Sequence, residues 1–171
     1  MRKIIFLDID GVLNSQYWYT QMERNTPRDK YGYAFDPNAV ANLKRIIDET
    51  GADIVISSSW KSFGFTDLEN IWQERCLPGT VIGITPNSVS DELLLNADLD
   101  KMELFHIRGE EIKEWLSKHG KNVSNYVIID DVDNMLPEQQ KHFIQTNPEM
   151  GLTEDIALLA INILNHAEYD Y

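Results

Sequence analysis

Cysteine and basic residues are scarce in this sequence, and each shortage excludes a class of protein. Cys76 is the single cysteine among 171 residues, so the chain cannot form an internal disulfide, and a reducing compartment is expected. Only 15 Lys and Arg stand against 28 Asp and Glu, which gives a formal net charge of −13. Broad binding to nucleic acid or to anionic membranes needs a basic surface, so this charge argues against both, although it leaves room for a small basic pocket.

Long apolar segments are missing as well. No apolar stretch approaches the roughly 20 residues that a membrane helix needs. Arg2 and Lys3 are followed by only four apolar residues before Asp8, which is too few for a signal peptide. We therefore expect a cytoplasmic protein without membrane attachment. Its length and its 43% hydrophobic residues predict a single domain over residues 1–171.

Short apolar segments alternate along the chain with longer amphipathic ones. The short segments are continuous and rich in β-branched residues, which is typical of strands buried on both faces. The predicted strands are Ile4–Leu7, Ile54–Ile56, Val81–Ile84 and Tyr126–Ile129, with a weaker one at Phe143–Ile144. The predicted helices are Pro37–Thr50, Asp67–Glu74, Glu110–His119 and Thr153–His166. This alternation predicts an α/β fold with a parallel sheet and helices on both faces, in which ligands bind at the carboxyl ends of the strands.

Two segments fit neither pattern. Ser15–Phe35 is rich in aromatic and charged residues, and it follows the first predicted strand closely. Pro86–Ile107 is irregular and contains several acids. Neither segment predicts a regular element of the sheet.

Polar residues follow three of the predicted strands. They are Asp8 and Asp10 after the first, Ser57, Ser58 and Ser59 after the second, and Asp130 and Asp131 after a late one. Carboxylates gathered at one edge of a sheet repel one another unless a divalent cation holds them, and ligands that are all oxygen point to Mg²⁺. If a phosphate enters such a site, it needs positive charge, and Arg108 and Lys61 are the nearest candidates in sequence.

Each of these signals also has a plain structural explanation. A DxDG at the end of a strand is often a solvated turn, and Asp130 with Asp131 could begin a loop or cap a helix. Ser57 to Ser59 could form a turn, and Lys61 could be a surface lysine. The functional interpretation is favoured because the three signals fall together at the carboxyl ends of strands.

The segments FLDIDGVLN, IVISSSWK and YVIIDDVD, in this order and spacing, resemble the first, second and fourth motifs of the haloacid dehalogenase (HAD) superfamily of aspartate-nucleophile phosphohydrolases. The resemblance covers Ile4 to about Asp133. SSSWK, GITP, RGEEI and IIDD are similar to a small HAD branch related to RNA-repair phosphatase modules. The resemblance implies a three-layer, Rossmann-like (HAD-like) fold in which residues 15–35 form a small flap over an open site.

The resemblance also implies roles for the acids. Asp8 would be the nucleophile that forms an aspartyl-phosphate, and Asp10 the general acid and base. Mg²⁺ would be held by Asp8, by the backbone carbonyl of Asp10 and by the two later acids. Of these two, Asp131 is favoured as a direct ligand, while Asp130 acts directly or through water.

Serines and a basic residue complete the implied site. Ser57 and Ser58 are the candidates for hydrogen bonds to phosphoryl oxygens, and Lys61 is a further candidate for contact with the substrate. The family usually has a lysine ahead of the helix that precedes the last acidic strand, and here Arg108 takes that place. Lys113 is the competing choice, although it would lie one turn inside the helix.

These residues together predict a Mg²⁺-dependent phosphatase that acts on a phosphomonoester. The substrate could be a nucleotide, a nucleic-acid end, a metabolite or a phosphoprotein, and no oligomeric state is predicted. Two alternatives remain at this point. One is a receiver-like domain that accepts a phosphoryl group on an aspartate, and the other is a catalytically silent binding domain with the same fold.

Overall fold

A parallel five-stranded sheet forms the centre of the protein in the computed structural model, which describes residues 1–22, 28–87 and 107–166. The strands are β1 Arg2–Leu7, β2 Arg28–Asp29, β3 Gly32–Tyr33, β4 Asp53–Ile56, β5 Val81–Ile84, β6 Val123–Asp130 and β7 Phe143–Gln145. The helices are α1 Gln16–Gln21, α2 Pro37–Thr50, α3 Phe65–Glu74, α4 Ile107–His119 and α5 Glu154–His166. Short 3₁₀ turns cover Ser59–Phe63, Gly120–Asn122 and Pro137–His142.

The strand order in the sheet is β5-β4-β1-β6-β7, and all neighbouring pairs are parallel. The central strand β1 pairs with β4 on one side and with β6 on the other, so that Leu7 lies opposite both Ile56 and Ile129. The residues that follow these three positions therefore meet at one edge of the sheet. This register is what brings the sequence-distant polar residues together.

Both faces of the sheet are covered. Along β1, Ile5 and Leu7 belong to a core that includes α2, α3 and α5, whereas Ile4 and Phe6 belong to a second core with α4. All four side chains are fully buried, which is why the strand is continuously apolar instead of alternating. Each such side chain contributes about 1.5–3 kcal/mol by leaving water. The arrangement confirms the predicted α/β, Rossmann-like architecture.

Helix α2 begins and ends at the residues that the sequence predicts as its caps. The side chain of Asp36 caps it by accepting a hydrogen bond from the backbone N–H of Asn38 at 2.8 Å, and Pro37 occupies the first turn. Gly51 ends the helix with a φ of 67°, a left-handed conformation that suits glycine. The bounds of α2 agree with the prediction.

Other elements are longer than predicted. Helix α4 begins at Ile107, three residues before the predicted start, so Arg108 lies inside its first turn and not ahead of it. Strand β6 runs from Val123 to Asp130 because the polar residues at its beginning still pair through their backbones with β1. A prediction based on hydrophobicity misses such a strand end because its side chains are polar.

The insertion after β1 contains α1 and the antiparallel hairpin of β2 and β3, and residues 23–27 lie outside the described part. Ion pairs tie the hairpin to the end of α3: Arg75 binds both carboxylate oxygens of Asp29 at 2.7 and 2.9 Å, and Lys30 lies 3.0 Å from Glu74. The function of this insertion as a flap stays a prediction, as does the single domain over the whole chain. Most of the irregular stretch Pro86–Ile107 lies outside the described residues.

Among the helices of the three described ranges, none combines the length and the apolar character needed to cross a bilayer. The predicted cytoplasmic location stays a prediction.

Candidate active site

Three carboxylates meet at the carboxyl edge of the sheet. Asp8 follows β1, Asp130 ends β6 and Asp131 follows it, and one oxygen from each lies within 4.8 Å of the other two. The backbone N–H of Asp8 donates to the carbonyl of Ile129 at 3.0 Å, which locks the ends of the two strands together. Asp8 and Asp130 are buried, and Asp131 is partly exposed.

The electrostatics of this cluster favour protonation of its members. Burial raises the pKa of Asp8 to about 6, although Arg108 and a hydrogen bond from Ser58 oppose the shift. Burial, and next the charge of Asp8, raise the pKa of Asp130 to about 7. The pKa of Asp131 is raised too, chiefly by burial. Burial therefore disfavours the charged forms of these carboxyl groups, and the neighbouring acids add to that effect.

This donor set fits a divalent cation. All candidate ligand atoms are carboxylate oxygens, which Mg²⁺ prefers. Oδ2 of Asp130 is buried and accepts no hydrogen bond from the described residues; the Nε of Arg108 lies 3.4 Å away as an ion-pair partner, so a metal ion would share this oxygen with the guanidinium. A cation there would stabilise the charged carboxylates, whose pKa values are raised mainly by burial and further by their mutual repulsion.

Arg108 is the basic residue beside the carboxylates. Its Nε lies 3.4 Å from Oδ2 of Asp130, and its Nη2 lies 3.9 Å from Oδ1 of Asp8. Lys113, the competing candidate, pairs instead with Glu138 at 3.4 Å on the surface, and both side chains are more than half exposed. The structure thus brings Arg108 to the acids and leaves Lys113 on the outer face of α4.

The two serines differ in their contacts. Ser58 caps the turn Ser59–Phe63 by accepting from the N–H of Trp60 at 3.3 Å, and it donates to Asp8. Ser57 is buried, and its hydroxyl has no hydrogen-bond partner among the described residues. Thr85 follows β5 in the same way, and its buried hydroxyl also has no partner there. Thr85 is the threonine of the GITP segment. A single threonine after a strand is too common to predict a polar side chain of the site, so the sequence gives no sign of this position.

Lys61 is held away from solvent. Its Nζ pairs with Glu111 of α4 at 2.5 Å and donates to the carbonyl of Pro86 at 3.0 Å, and its side chain is 10% exposed. Burial lowers its pKa, and the contact with Glu111 opposes that shift. The lysine therefore joins the turn after β4 to α4 and to the segment after β5. Its role as a substrate ligand stays a prediction.

Glu111 was not among the candidate residues. A charged residue within a helix gives little sign of burial, and the one available signal is its spacing of three positions from Arg108, which puts both on one face of α4. Because Glu111 pairs with Lys61 while Arg108 contacts the acids, this face of the helix is fixed to the site by two charges.

Asp10 is not one of the three acids of the cluster, although its charge contributes to the raised pKa of Asp131. Its side chain is exposed, and the indole Nε1 of Trp60 donates to its Oδ2 at 3.0 Å. The side-chain amide of Asn14 donates to its Oδ1 at 3.4 Å. A sequence pattern suggests only that a tryptophan such as Trp60 belongs to the core; in the structure, this ring is half-buried and its N–H points at an acid.

Comparison with known proteins identifies the family. The sequence model of the HAD domain in Swiss Army Knife RNA repair proteins matches residues 4–157. The chain belongs to this HAD family. The match confirms the resemblance to the superfamily and to its RNA-repair branch, and membership indicates a hydrolase.

A solved structure is also similar to this HAD domain. It is a chain from Legionella pneumophila assigned to the HAD superfamily (subfamily III A) hydrolases, with 13% sequence identity and a TM-score of 0.39. The similarity covers 98% of this chain and 85% of the other. No curated protein matches the HAD domain described here.

Proposed function

We propose that the protein is a Mg²⁺-dependent phosphatase that hydrolyses a phosphomonoester through an aspartyl-phosphate on Asp8. The observation that carries this proposal is the cluster of Asp8, Asp130 and Asp131, whose oxygens lie within 4.8 Å of one another. Their raised pKa values support a site that needs a cation. Arg108 beside them provides the fixed positive charge that a phosphate requires.

Asp8, Asp130 and Asp131 would hold the metal, with the backbone carbonyl of Asp10 as the further ligand that the resemblance to the HAD superfamily implies. When bound, Mg²⁺ supplies positive charge that offsets the repulsion between the Asp8 carboxylate and an incoming phosphate. The guanidinium of Arg108 and the unpartnered hydroxyl of Ser57 donate hydrogen bonds to the phosphoryl oxygens and hold the group in place.

In the first step, a carboxylate oxygen of Asp8 attacks phosphorus, and the bond between phosphorus and the leaving oxygen breaks. The carboxyl group of Asp10 gives its proton to that oxygen, so the substrate leaves as an alcohol. In the second step, Asp10 takes a proton from water as the water oxygen attacks phosphorus. The bond to Asp8 breaks, inorganic phosphate leaves, and both aspartates return to their starting states.

A phosphorylated RNA end is the first substrate to test, because the family description names RNA repair proteins. The net charge of −13 argues against contact with a long stretch of nucleic acid. Binding of a single terminal phosphate needs only the small basic contact that Arg108 offers. Nucleotides, sugar phosphates and phosphopeptides are the remaining substrate classes.

The receiver-like alternative has less support. It requires a phosphoacceptor aspartate at the end of the third strand of the sheet along the chain. That strand is β5, and Thr85 follows it.

A substrate panel tests the proposal. It contains p-nitrophenyl phosphate, nucleotides, sugar phosphates, a phosphopeptide and oligonucleotides with 3′- or 5′-phosphates, each with Mg²⁺ and with EDTA. We expect phosphate release by the wild type with Mg²⁺ and none by Asp8→Asn. The matched control is Asp53→Asn, which makes the same chemical change at the amino end of β4, where Asp53 pairs with Arg2 at 3.6 Å. Equal rates for the wild type and Asp8→Asn on every substrate would refute the proposal.

A further inference from the structure

Two neutral donors hold the carboxyl group of Asp10. The indole N–H of Trp60 donates to Oδ2 at 3.0 Å, and the amide of Asn14 donates to Oδ1 at 3.4 Å. Asp10 is exposed and follows Asp8 by only two positions. An exposed side chain without such contacts would sample several rotamers, some of them directed toward the neighbouring acids.

Trp60 is itself well fixed. Its ring packs against Phe35 and Phe63, with ring centroids 5.4 and 5.6 Å away. Its backbone N–H donates to the hydroxyl of Ser58 at 3.3 Å. A tryptophan has only two side-chain torsions, so an indole packed in this way presents its N–H at a defined point.

The segment that contains Trp60 also contains the candidate phosphate-binding residues. Ser57 and Ser58 precede the tryptophan, and Lys61 follows it and is pinned to Glu111 of α4. The donor to Asp10 and the residues beside Asp8 are thus parts of one short segment. Their relative positions are set by this segment together with the hydrogen bond from the N–H of Ser57 to the carbonyl of Leu7 at 2.9 Å.

We propose that Trp60 is a positioning residue, whose indole N–H holds the carboxyl group of Asp10 where it can transfer a proton to the leaving oxygen. This role rests on the proposed phosphatase function and adds to it a residue that acts through Asp10. Trp60 need not touch the transferred phosphoryl group. Its contribution is to fix the orientation of the Asp10 carboxyl group through the hydrogen bond of 3.0 Å.

The dependence on the leaving group separates this role from a merely structural one. A p-nitrophenolate leaves readily without a proton, whereas the alkoxide of benzyl phosphate needs one. The quantity kcat/KM covers the steps up to departure of the leaving group, so it reports on the donor. Trp60→Phe keeps an aromatic ring but loses the N–H. We expect it to lower kcat/KM about 10-fold for benzyl phosphate and at most about 2-fold for p-nitrophenyl phosphate. This loss of about 10-fold is smaller than the loss expected from removing the general acid itself, because Asp10 is still present.

Trp18→Phe is the matched control. Its indole N–H donates to a backbone carbonyl, that of Ala34, at 2.9 Å, so its loss removes an equivalent hydrogen bond that does not involve Asp10. We expect equal and small changes on both substrates for this variant. Replacement of Trp60 by 3-benzothienylalanine, which keeps the bicyclic ring and exchanges the N–H for sulfur, serves if the phenylalanine variant does not fold. It is expected to show the same selective loss on benzyl phosphate.

A double-mutant cycle completes the test. If Trp60 acts through Asp10, Trp60→Phe causes no further loss on benzyl phosphate in the Asp10→Asn background. Equal losses on the two substrates, no loss on benzyl phosphate, or a full additional loss in the double variant would each overturn the positioning role while the phosphatase remains active. A wild type as inactive as Asp8→Asn would instead overturn the proposed function, and this role with it.

Discussion

Gly11 and Asp131 occupy adjoining space at the carboxyl edge of the sheet. A Cβ atom on Gly11 would lie 2.6 Å from Cγ of Asp131, closer than any real contact allows, and Gly11 has a φ of 73°. The glycine that follows the first pair of acids therefore makes room for the last acid of the site. This contact gives a physical reason for the glycine in the DxDG segment beyond the turn itself.

Gly11→Ala is expected to displace the Asp131 carboxylate and to lower the affinity for Mg²⁺ at least about 10-fold, as the disturbance of a ligand does in other metal sites. It also costs about 1 kcal/mol of stability because alanine avoids positive φ. Calorimetric titration with Mg²⁺ and urea unfolding measure the two effects. Gly51→Ala is the control, since Gly51 has a similar φ of 67° and open space around its Cα. The same Mg²⁺ affinity in both variants would contradict the steric explanation.

Arg108→Met is expected to lower kcat/KM by about 100-fold, the loss typical when a donor to a phosphoryl or oxyanion group is removed. Lys113→Met removes the competing cation and is expected to change kcat/KM by less than about 2-fold and stability by less than about 0.5 kcal/mol, because its partner Glu138 is exposed. Steady-state kinetics on the best substrate of the panel distinguish the two residues. A larger loss for Lys113→Met would assign the basic role to Lys113.

The buried ion pair of Lys61 and Glu111 is expected to affect stability more than catalysis. Lys61→Met leaves a buried carboxylate without its partner and is expected to cost about 3 kcal/mol in the free energy of unfolding. The double variant Lys61→Met with Glu111→Met is expected to recover most of that loss, as well as the wild-type KM. If the double variant is stable but keeps a raised KM, then Lys61 contacts the substrate, as the sequence suggested. Urea unfolding and KM are measured on the same samples.

Stability without metal is expected to fall as the pH rises from about 4 to about 7. The pKa values of Asp8 (about 6) and Asp130 (about 7) in the folded protein lie above the ordinary value of 3.8. The folded state therefore binds more protons than the unfolded state in this window, and its stability is lost as those protons leave. Asp130→Asn removes one of the charges, so it is expected to be more stable than the wild type at pH 8 by on the order of 4 kcal/mol, from about 1.4 kcal/mol per pKa unit over the shift from 3.8 to about 7.

Urea unfolding in EDTA at several pH values between 4 and 8 measures this effect. The difference between Asp130→Asn and the wild type isolates the cluster from the other acids of the chain, because both proteins share them. A difference that stays constant with pH would show that the cluster is not the cause.

Much of the fold can be predicted from local sequence features such as helix caps and apolar segments. The capped helix α2 and the apolar strand β5 have the predicted bounds, because each ends where the chemistry of the residues changes. Helix α4 and strand β6 start earlier than predicted, since polar residues can continue a helix or a strand through backbone hydrogen bonds alone. The pairing of Asp29 with Arg75 depends on tertiary contact and leaves no periodic pattern.

Only part of the candidate site could likewise be predicted from the sequence. Asp8, Asp130 and Asp131 could be grouped because parallel strands bring their carboxyl ends to one edge. The partners of Trp60 and Lys61 could not, because a side chain's hydrogen bond depends on orientation, which spacing along a chain does not encode. The burial of Glu111 could not be predicted for a related reason. Its charge is tolerated in the interior only because it pairs with Lys61, and the sequence does not show that pairing.

The central position of β1 has a consequence for how the chain folds. Its residue Ile4 pairs with Asp53 on one side and with Tyr126 on the other, and β6 does not begin until Val123. A nascent chain therefore holds the strand that precedes Asp8 with one open edge until β6 has left the ribosome. Pairing across such long sequence separations is slow, and an apolar strand with an open edge invites wrong partners. Fragments that end before β6 are therefore expected to aggregate rather than fold, with β1, the strand that leads into Asp8, as the aggregation-prone segment.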